Sequence, residues 1–338
     1  MRFGYWMPVF GGWLRNVEDE GMPVAWPYLR DLAIDSERHG FDLSLLAELN
    51  LNDIKGHRAP AADAWTLGAA LAAVTQRLEL MLAVRPNYHA PSLTAKALST
   101  LDLIAPGRIS LNVVSSWWAD EARQYGMPFD VHDARYQRTE EWLTVLRRLL
   151  TEPTVDHHGA LYDLEGAILE PKPSKAVDVY MGGESPRALG VIAEHGDAYV
   201  MHGDPPEVIA DRVRRISELR EQAGKPPLRF GVSGYVIVRD TEAEAQAELA
   251  RITALPPEPP AGFDNFEQWL SGTQLERELK LQEYSVSNRG LRPNLVGTPE
   301  QVKARIAEYE DAGLDLLLLQ MSPQAEEMDR FAAQVIRG

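Results

Sequence analysis

Short apolar runs alternate with amphipathic stretches along almost the whole chain. The runs are rich in β-branched residues and are apolar on both faces, which is typical of strands buried between two layers. The intervening stretches repeat apolar residues near every 3.6 positions, as in the set Leu93, Ala97, Leu101 and Ile104, and this period predicts helices. The predicted strands are Phe3–Val9, Asp42–Ala47, Leu78–Val84, Ile109–Ser115, Asp178–Met181, Ala198–His202, Arg229–Val238 and Leu314–Gln320.

Eight parallel strands, each followed by a helix, can close on themselves, so we predict an α/β fold of the (β/α)8 barrel type. The last predicted helix has a strong start signal in Thr298-Pro299-Glu300-Gln301, with an N-cap threonine, a proline in the first turn and a capping-box glutamine. In such a barrel the carboxyl ends of the strands form the active-site face. Candidate functional residues should therefore follow the strands.

Two segments interrupt the alternation. A plain barrel needs about 250 residues, and the chain has 338. We assign the surplus to a hairpin-containing insertion at Val155–Lys175 and to Leu255–Pro293, which opens with LPPEPPAG. The second insertion precedes the last capped helix, so we expect it to be a mobile lid over the active-site face. The whole chain, 1–338, is predicted to be a single barrel domain.

Composition excludes several classes of protein. Apolar residues make up 45% and charged residues 25%, which is ordinary for a globular protein. A net charge of −16 argues against nucleic-acid binding. The start, MRFGYWMPVFGGWL, is interrupted by proline and glycine, so we expect neither a signal peptide nor a membrane span, and a cytoplasmic location. The absence of cysteine excludes disulfides and thiolate metal sites.

The clearest anion-binding signal is MGGESPRALG, which follows the fifth predicted strand. Its glycines let the backbone approach a ligand, Ser185 can cap the next helix, and Pro186 suits the first helical position. The remaining N–H groups at the helix start would favour a phosphate. An ordinary capped turn needs the same residues, so both interpretations stay open.

Other candidate chemistry is weaker. The eight histidines show no metal-ligand spacing, His157 and His158 are expected to face solvent, and we predict no metal. Ser115-Ser116 lacks the glycines of a nucleophile elbow, which leaves a hydrolase triad without support.

Two pairs of residues each leave alternatives open. Glu48 and Glu121 lie at or just beyond strand ends, as the two carboxyl groups of a glycosidase would, although Glu48 can equally be a hydrogen-bonded core residue. Trp117 and Trp118 end the fourth strand as either a plug or oligomer contact, or one wall of a ligand slot.

Six segments together identify a family: AELNLNDIKG, AVRPNYH, LNVVSSWWADEARQYG, HDARY, DAYVMHGDPPE and YSVSNRGLRPNLVGTPEQV. Through them the chain resembles the bacterial-luciferase-like, reduced-flavin-dependent monooxygenases over essentially its full length. Within the family it is most similar to the enzymes that oxidise dimethyl sulfone, which are neighbours of the alkanesulfonate monooxygenases.

The resemblance implies FMN across the C-terminal mouth of the barrel, held by Glu48, Asn112, Glu121, Arg135, Tyr136, Gly183, Glu184 and Ser185. It strengthens the phosphate interpretation of Ser185. Residues expected to act on flavin, oxygen or substrate are Tyr136, Tyr235, Trp117 and Arg292. Arg289 and Arg292 either enter the site with the lid or are two solvated loop arginines.

Departures from the family pattern bear on the substrate. Luciferases carry histidines after the second-strand glutamate, where this chain has Leu49-Asn50. Alkanesulfonate monooxygenases carry Arg-x-His on the seventh strand, where this chain has Ser233-Gly234-Tyr235, and a tyrosine where it has Ser322. Loss of a cation and a phenol disfavours an anionic sulfonate, because a buried charge without a partner is costly.

The resemblance therefore implies an FMNH2-dependent monooxygenase in sulfur assimilation that converts dimethyl sulfone and O2 to methanesulfinate and formaldehyde. Without a nicotinamide fingerprint, the chain would take reduced flavin from a separate NAD(P)H:FMN reductase. We also expect a homodimer or homotetramer. Three alternatives stay open: an alkanesulfonate monooxygenase that releases sulfite and aldehyde, a deazaflavin-dependent dehydrogenase, and a flavin-binding protein without turnover.

Overall fold

Eight parallel strands close into a barrel in a computed structural model, which describes residues 1–255, 257–258, 260–266, 270, 281–287 and 290–338. In chain order the strands are β1 (Arg2–Trp6), β2 (Leu43–Leu46), β3 (Glu79–Val84), β4 (Ile109–Val113), β5 (Val155–His158), β6 (Asp163–Ala167), β7 (Val179–Met181), β8 (Ala198–Met201), β9 (Arg229–Val238), β10 (Leu295–Gly297) and β11 (Leu316–Gln320). The ring runs β1-β2-β3-β4-β7-β8-β9-β11 and closes where β11 pairs with β1. The predicted (β/α)8 barrel is confirmed.

The barrel interior is packed with large side chains. Leu43, Leu45, Met81, Tyr180, Leu316 and Leu318 form a cluster inside the ring, and each is at most 2% exposed. β1 contributes Gly4 at this level because a Cβ there would lie 2.8 Å from the Leu43 side chain and 3.0 Å from that of Leu318. Burial on both faces explains why these strands are continuous apolar runs in the sequence.

The surrounding helices are α1 (Trp26–His39), α2 (Ala64–Val74), α3 (Pro91–Ile104), α4 (Ala119–Gln124), α5 (His132–Thr151), α6 (Pro186–His195), α7 (Pro206–Gln222), α8 (Glu242–Thr253), α9 (Leu281–Tyr284), α10 (Pro299–Asp311) and α11 (Gln324–Phe331). A 3-10 turn covers Ala261–Phe263 and a π-helical turn covers Ala332–Ile336. In the described chain none of the helices has the length and apolar character needed to cross a bilayer.

The helix predicted from Leu93, Ala97, Leu101 and Ile104 is present as α3, but this apolar stripe is only partly buried. Leu93 is 72% exposed and Ile104 is 44% exposed, whereas the buried face includes Thr94, Leu98 and Ser99. Small and polar residues can face the barrel here because their hydroxyls find backbone acceptors, as Ser99 does with the Pro171 carbonyl. A 3.6-residue period predicts the helix but does not by itself determine which of its faces is buried.

The first insertion contains a β-hairpin. β5 and β6 pair antiparallel, which confirms the predicted hairpin within Val155–Lys175. In the second insertion, Leu255–Pro293, the described residues include the Ala261–Phe263 turn and α9. Arg289 and much of the predicted lid lie outside the described residues.

The predicted capping box of α10 is present and makes a testable contribution to stability. The Thr298 side chain accepts a hydrogen bond from the Gln301 N–H, and the Gln301 side chain accepts one from the Thr298 N–H at 2.9 Å. Thr298→Ala should lower the free energy of unfolding by about 1 kcal/mol, measured by urea denaturation. Ser217→Ala on the exposed face of α7 is the control and should change it little; equal effects of the two variants would contradict the role of the cap.

Candidate functional site

The carboxyl ends of the barrel strands surround a cavity of about 280 Å³, close to the lower end of small-molecule sites at ~300 Å³. Its floor is the uppermost layer of inward-facing side chains, contributed by Leu45, Ala83, Asn112, Val200, Ser233 and Leu318. This floor carries no charged side chain. The charged groups of the cavity stand on its walls, in loops that follow the strands.

One end of the cavity is the loop between β7 and α6. Gly183 has φ +140°, and a Cβ there would lie 2.7 Å from the Cβ of Ala188 and 3.2 Å from the Tyr136 hydroxyl. The loop can therefore pack against Ala188 and Tyr136 in this conformation only because residue 183 lacks a side chain. Ser185 is the N-cap of α6, and its Oγ accepts the Ala188 N–H at 3.1 Å, as its sequence motif predicts.

α5 supplies Arg135 and Tyr136 to the same end. The Tyr136 side chain is hydrogen-bonded to Ser185, and burial raises the pKa of the Tyr136 phenol above its usual value of 10.0, so it stays a protonated donor near neutral pH. Arg135 donates from Nη1 to the Ser116 carbonyl and is largely buried. A helix N-terminus, a neutral phenol and a guanidinium thus converge where an anion would sit.

The Glu184 carboxylate, in this same loop, has two basic side chains beside it. Glu184 is buried, with His202 Nδ1 at 3.2 Å and Arg212 Nη2 at 3.8 Å. Arg212 also lies 2.8 Å from Asp204, which in turn lies 3.4 Å from Arg292. Arg212 therefore offsets part of the negative charge of Glu184 within the wall.

Another wall of the cavity contains a buried cluster of opposite charges centred on Arg85. Its guanidinium binds both oxygens of Glu121, and its Nε lies 3.3 Å from Glu48 Oε2. Burial lowers the pKa of Arg85, but the hydrogen bond and charge of Glu121 outweigh this effect and raise it above its usual value. Glu48 also contacts His89 Nε2, and Tyr88 donates to Glu121 at 3.2 Å.

The other end of the cavity is aromatic. Trp6 and Trp13 meet edge to face with ring centroids 6.4 Å apart, and the ring of Tyr284 lies 4.0 Å from the Arg15 guanidinium. Arg15 is ion-paired with Asp53, with Nη2 and Oδ2 2.6 Å apart, so its charge is balanced. This end offers apolar and aromatic surface with a neutral sum of charge.

Most of the predicted site residues line this cavity. The lining includes Glu48, Asn112, Trp117, Arg135, Tyr136, Gly183, Glu184 and Ser185. Trp117 and Trp118 stack nearly parallel with centroids 5.3 Å apart, yet only Trp117 lies on the wall, since Trp118 is buried against His57. The two tryptophans therefore have different surroundings despite their adjacency in sequence.

Three predicted site residues do not line the cavity. Glu121 is fully buried and holds Arg85, which does line it. Arg292 lies 2.7 Å from Glu283 and 3.4 Å from Asp204. Tyr235 is 1% exposed and packs in the hydrophobic core, and burial raises its pKa well above the usual value.

Sequence reasoning missed the basic residues that organise the walls. Arg85 follows β3 in AVRPNYH and Arg15 follows the first strand in GGWLR, so position after a strand end was the available signal. Because Arg85 binds both Glu48 and Glu121, neither carboxylate stands free as a glycosidase acid or nucleophile. Among the described residues no cluster of three potential ligands is arranged to hold a metal ion.

The charge cluster predicts that removing the charge of a buried carboxylate lowers the free energy of unfolding more than removing that of an exposed one. Glu121→Gln should lower the free energy of unfolding by about 3 kcal/mol, because it leaves a buried guanidinium with part of its charge unbalanced. Glu152→Gln is the matched control, since Glu152 pairs with Arg148 at the surface, and it should have little effect. Thermal or urea unfolding of the two variants checks this, and equal stabilities would refute it.

Comparisons with known proteins agree with this geometry. The family model described as luciferase-like monooxygenase matches residues 1–316. The chain is 32% identical to an FMNH2-dependent dimethylsulfone monooxygenase of Pseudomonas putida, covering 99% of this chain and 94% of the relative. It is 30% identical to the protein of the same name from Pseudomonas fluorescens (strain Pf0-1), with 99% and 93% covered. Its fold is similar to the crystal structure of a long-chain alkane monooxygenase, with TM-score 0.81, 21% identity, and 100% and 90% of the chains covered. The chain thus belongs to the luciferase-like monooxygenase family.

Proposed function

We propose that the protein is an FMNH2-dependent monooxygenase of dimethyl sulfone. The reaction consumes dimethyl sulfone, O2 and reduced FMN, and it yields methanesulfinate, formaldehyde, water and oxidised FMN. The observation that carries the proposal is a cavity with a capped helix start, a neutral phenol and a guanidinium at one end and an aromatic end without net charge. The two full-length relatives named for this activity support it.

The residues present fit a flavin phosphate at one end. Gly183 lets the loop pack against the start of α6, and the Tyr136 hydroxyl is a donor. We assign FMN contacts to Arg135, Tyr136 and the loop 183–185, with Glu48 and Asn112 facing the rest of the cofactor. When bound, the reduced flavin supplies the two electrons that activate O2.

The substrate assignment follows from the charges at the other end. A sulfonate would bring an anion to a place where Arg15 is already neutralised by Asp53. A buried anion without its own counter-charge is costly, typically by several kcal/mol. A neutral sulfone has two oxygen acceptors and two methyl groups, and it suits a cavity of aromatic walls and isolated hydrogen-bond donors.

The aromatic walls also exclude water. Trp6, Phe10, Trp13 and Trp117 line the cavity and present apolar surface where a water layer would otherwise stand. Oxygen activation by a reduced flavin is productive only if water is kept from the reacting centre. We assign Trp117 this role, and we assign Tyr235 and Arg292 a supporting role behind the wall.

Two features of the proposal concern partners. We expect the reduced flavin to come from a separate NAD(P)H:FMN reductase, as the family resemblance implies. A homodimer or homotetramer is expected because α3 exposes Leu93, Leu103 and Ile104, and exposed apolar patches often mark subunit contacts.

Oxygen uptake tests the proposed reaction. With reductase, NADH, FMN and dimethyl sulfone, we expect O2 consumption together with stoichiometric formaldehyde and methanesulfinate. Methanesulfonate and longer sulfonates should give at most a small fraction of that rate. Sulfite release from a sulfonate would establish the alkanesulfonate alternative, and turnover without O2 would establish the dehydrogenase alternative. Stable flavin binding with no substrate-dependent O2 uptake would establish the third alternative, a flavin-binding protein without turnover.

Ser185→Ala tests the phosphate assignment. Because the hydroxyl lies beside the proposed phosphate position, the variant should bind reduced FMN several-fold more weakly, while reduced riboflavin, which has no phosphate, should be spared. Anaerobic titration with both flavins measures this difference and cancels any general effect of losing the helix cap. Equal weakening for both flavins would refute the assignment.

A further inference from the structure

Ser233 is a polar side chain on the cavity floor that the proposed flavin contacts do not use. It lies on β9, in register with Leu318 of β11, and Val200 of β8 is on the floor beside it. The residue is only 3% exposed, and it lines the cavity. Within the described part of the chain its hydroxyl has no hydrogen-bond partner.

The surroundings of Ser233 make its hydroxyl unusual. Leu318 belongs to the apolar cluster inside the barrel, and Val200 and Trp6 pack against that cluster. A ligand that displaces water from this place must offer the hydroxyl an acceptor, because a buried hydroxyl without a partner costs free energy. The cavity is the space from which an acceptor can reach it.

We propose that Ser233 binds the sulfonyl group of the substrate, with its hydroxyl donating to one sulfonyl oxygen. This inference rests on the proposed function and extends it to a residue that determines substrate position and specificity. A sulfone has acceptors but no donor, so a hydroxyl is its natural partner. The methyl groups then face the apolar neighbours of Ser233, namely Leu318, Val200 and Trp6.

The same residue explains discrimination against anionic substrates. Ser233 can offer one hydrogen bond but no positive charge, and the floor around it holds no charged side chain. A sulfonate placed there would keep its full charge with a single neutral donor. A sulfone placed there loses little by leaving water, because its oxygens carry only partial charge.

Ser233→Ala is the test. Loss of one neutral hydrogen bond should raise KM for dimethyl sulfone by about three- to ten-fold. The dissociation constant for reduced FMN should stay the same, because the flavin contacts are on other elements. Ser233→Thr keeps the hydroxyl and should fall closer to the wild-type KM than the alanine variant. Ser217→Ala, on the exposed face of α7, is the matched serine control and should leave both constants unchanged.

The outcomes separate this inference from the proposed function. Wild-type protein without dimethyl sulfone turnover would overturn the proposed function and the Ser233 assignment together. Wild-type turnover with an unchanged KM in Ser233→Ala would overturn the assignment alone. A parallel weakening of reduced FMN binding would place Ser233 against the flavin and also overturn it. Circular dichroism of each variant verifies that the barrel is intact.

Discussion

The ion pairs of the buried Arg85 guanidinium with Glu48 and Glu121 are the interactions on which the site depends most. The guanidinium sits between Glu48, which follows β2, and Glu121 on α4, and Arg85 directly follows β3. Three consecutive βα units are thus joined by one cation and two carboxylates at the carboxyl face of the barrel. Taking these charges out of water is costly, and the cost is offset only while all three partners keep their geometry. The geometry of the wall formed by Glu48 and Arg85 therefore depends on all three partners.

Local charge pairing also bears on how a protein of net charge −16 could hold the proposed phosphate. The acidic side chains nearest the cavity are paired locally, Glu184 with His202 and Arg212, and Asp53 with Arg15. Their fields are therefore short-ranged, and the start of α6 acts on a ligand without an opposing local charge. The same pairing leaves the aromatic end neutral. Local pairing of opposite charges thus contributes to two chemically different ends in one cavity.

The fold could be predicted from sequence because barrel strands buried on both faces give apolar runs that few other elements imitate. Ser185 and the cap of α10 could also be predicted, since capping depends on residues close together in sequence. What could not be predicted were contacts across the barrel. The partners Arg85 and Glu121 are 36 residues apart, and nothing local in either segment shows that this guanidinium would pair with this carboxylate. The buried face of α3 was missed for a related reason, because its small polar residues are buried by tertiary hydrogen bonds.

The Ser185 hydroxyl is already engaged before any ligand arrives. It accepts the Ala188 N–H and is hydrogen-bonded to Tyr136. A phosphate bound in this loop as proposed would exchange existing hydrogen bonds for new ones, so the free energy gained would be a difference and not a sum. Such exchange favours modest affinity and rapid release over tight retention. The flavin arrives reduced and leaves oxidised. A site that releases it readily therefore makes FMN a cosubstrate that exchanges in each turnover and not a permanently bound prosthetic group.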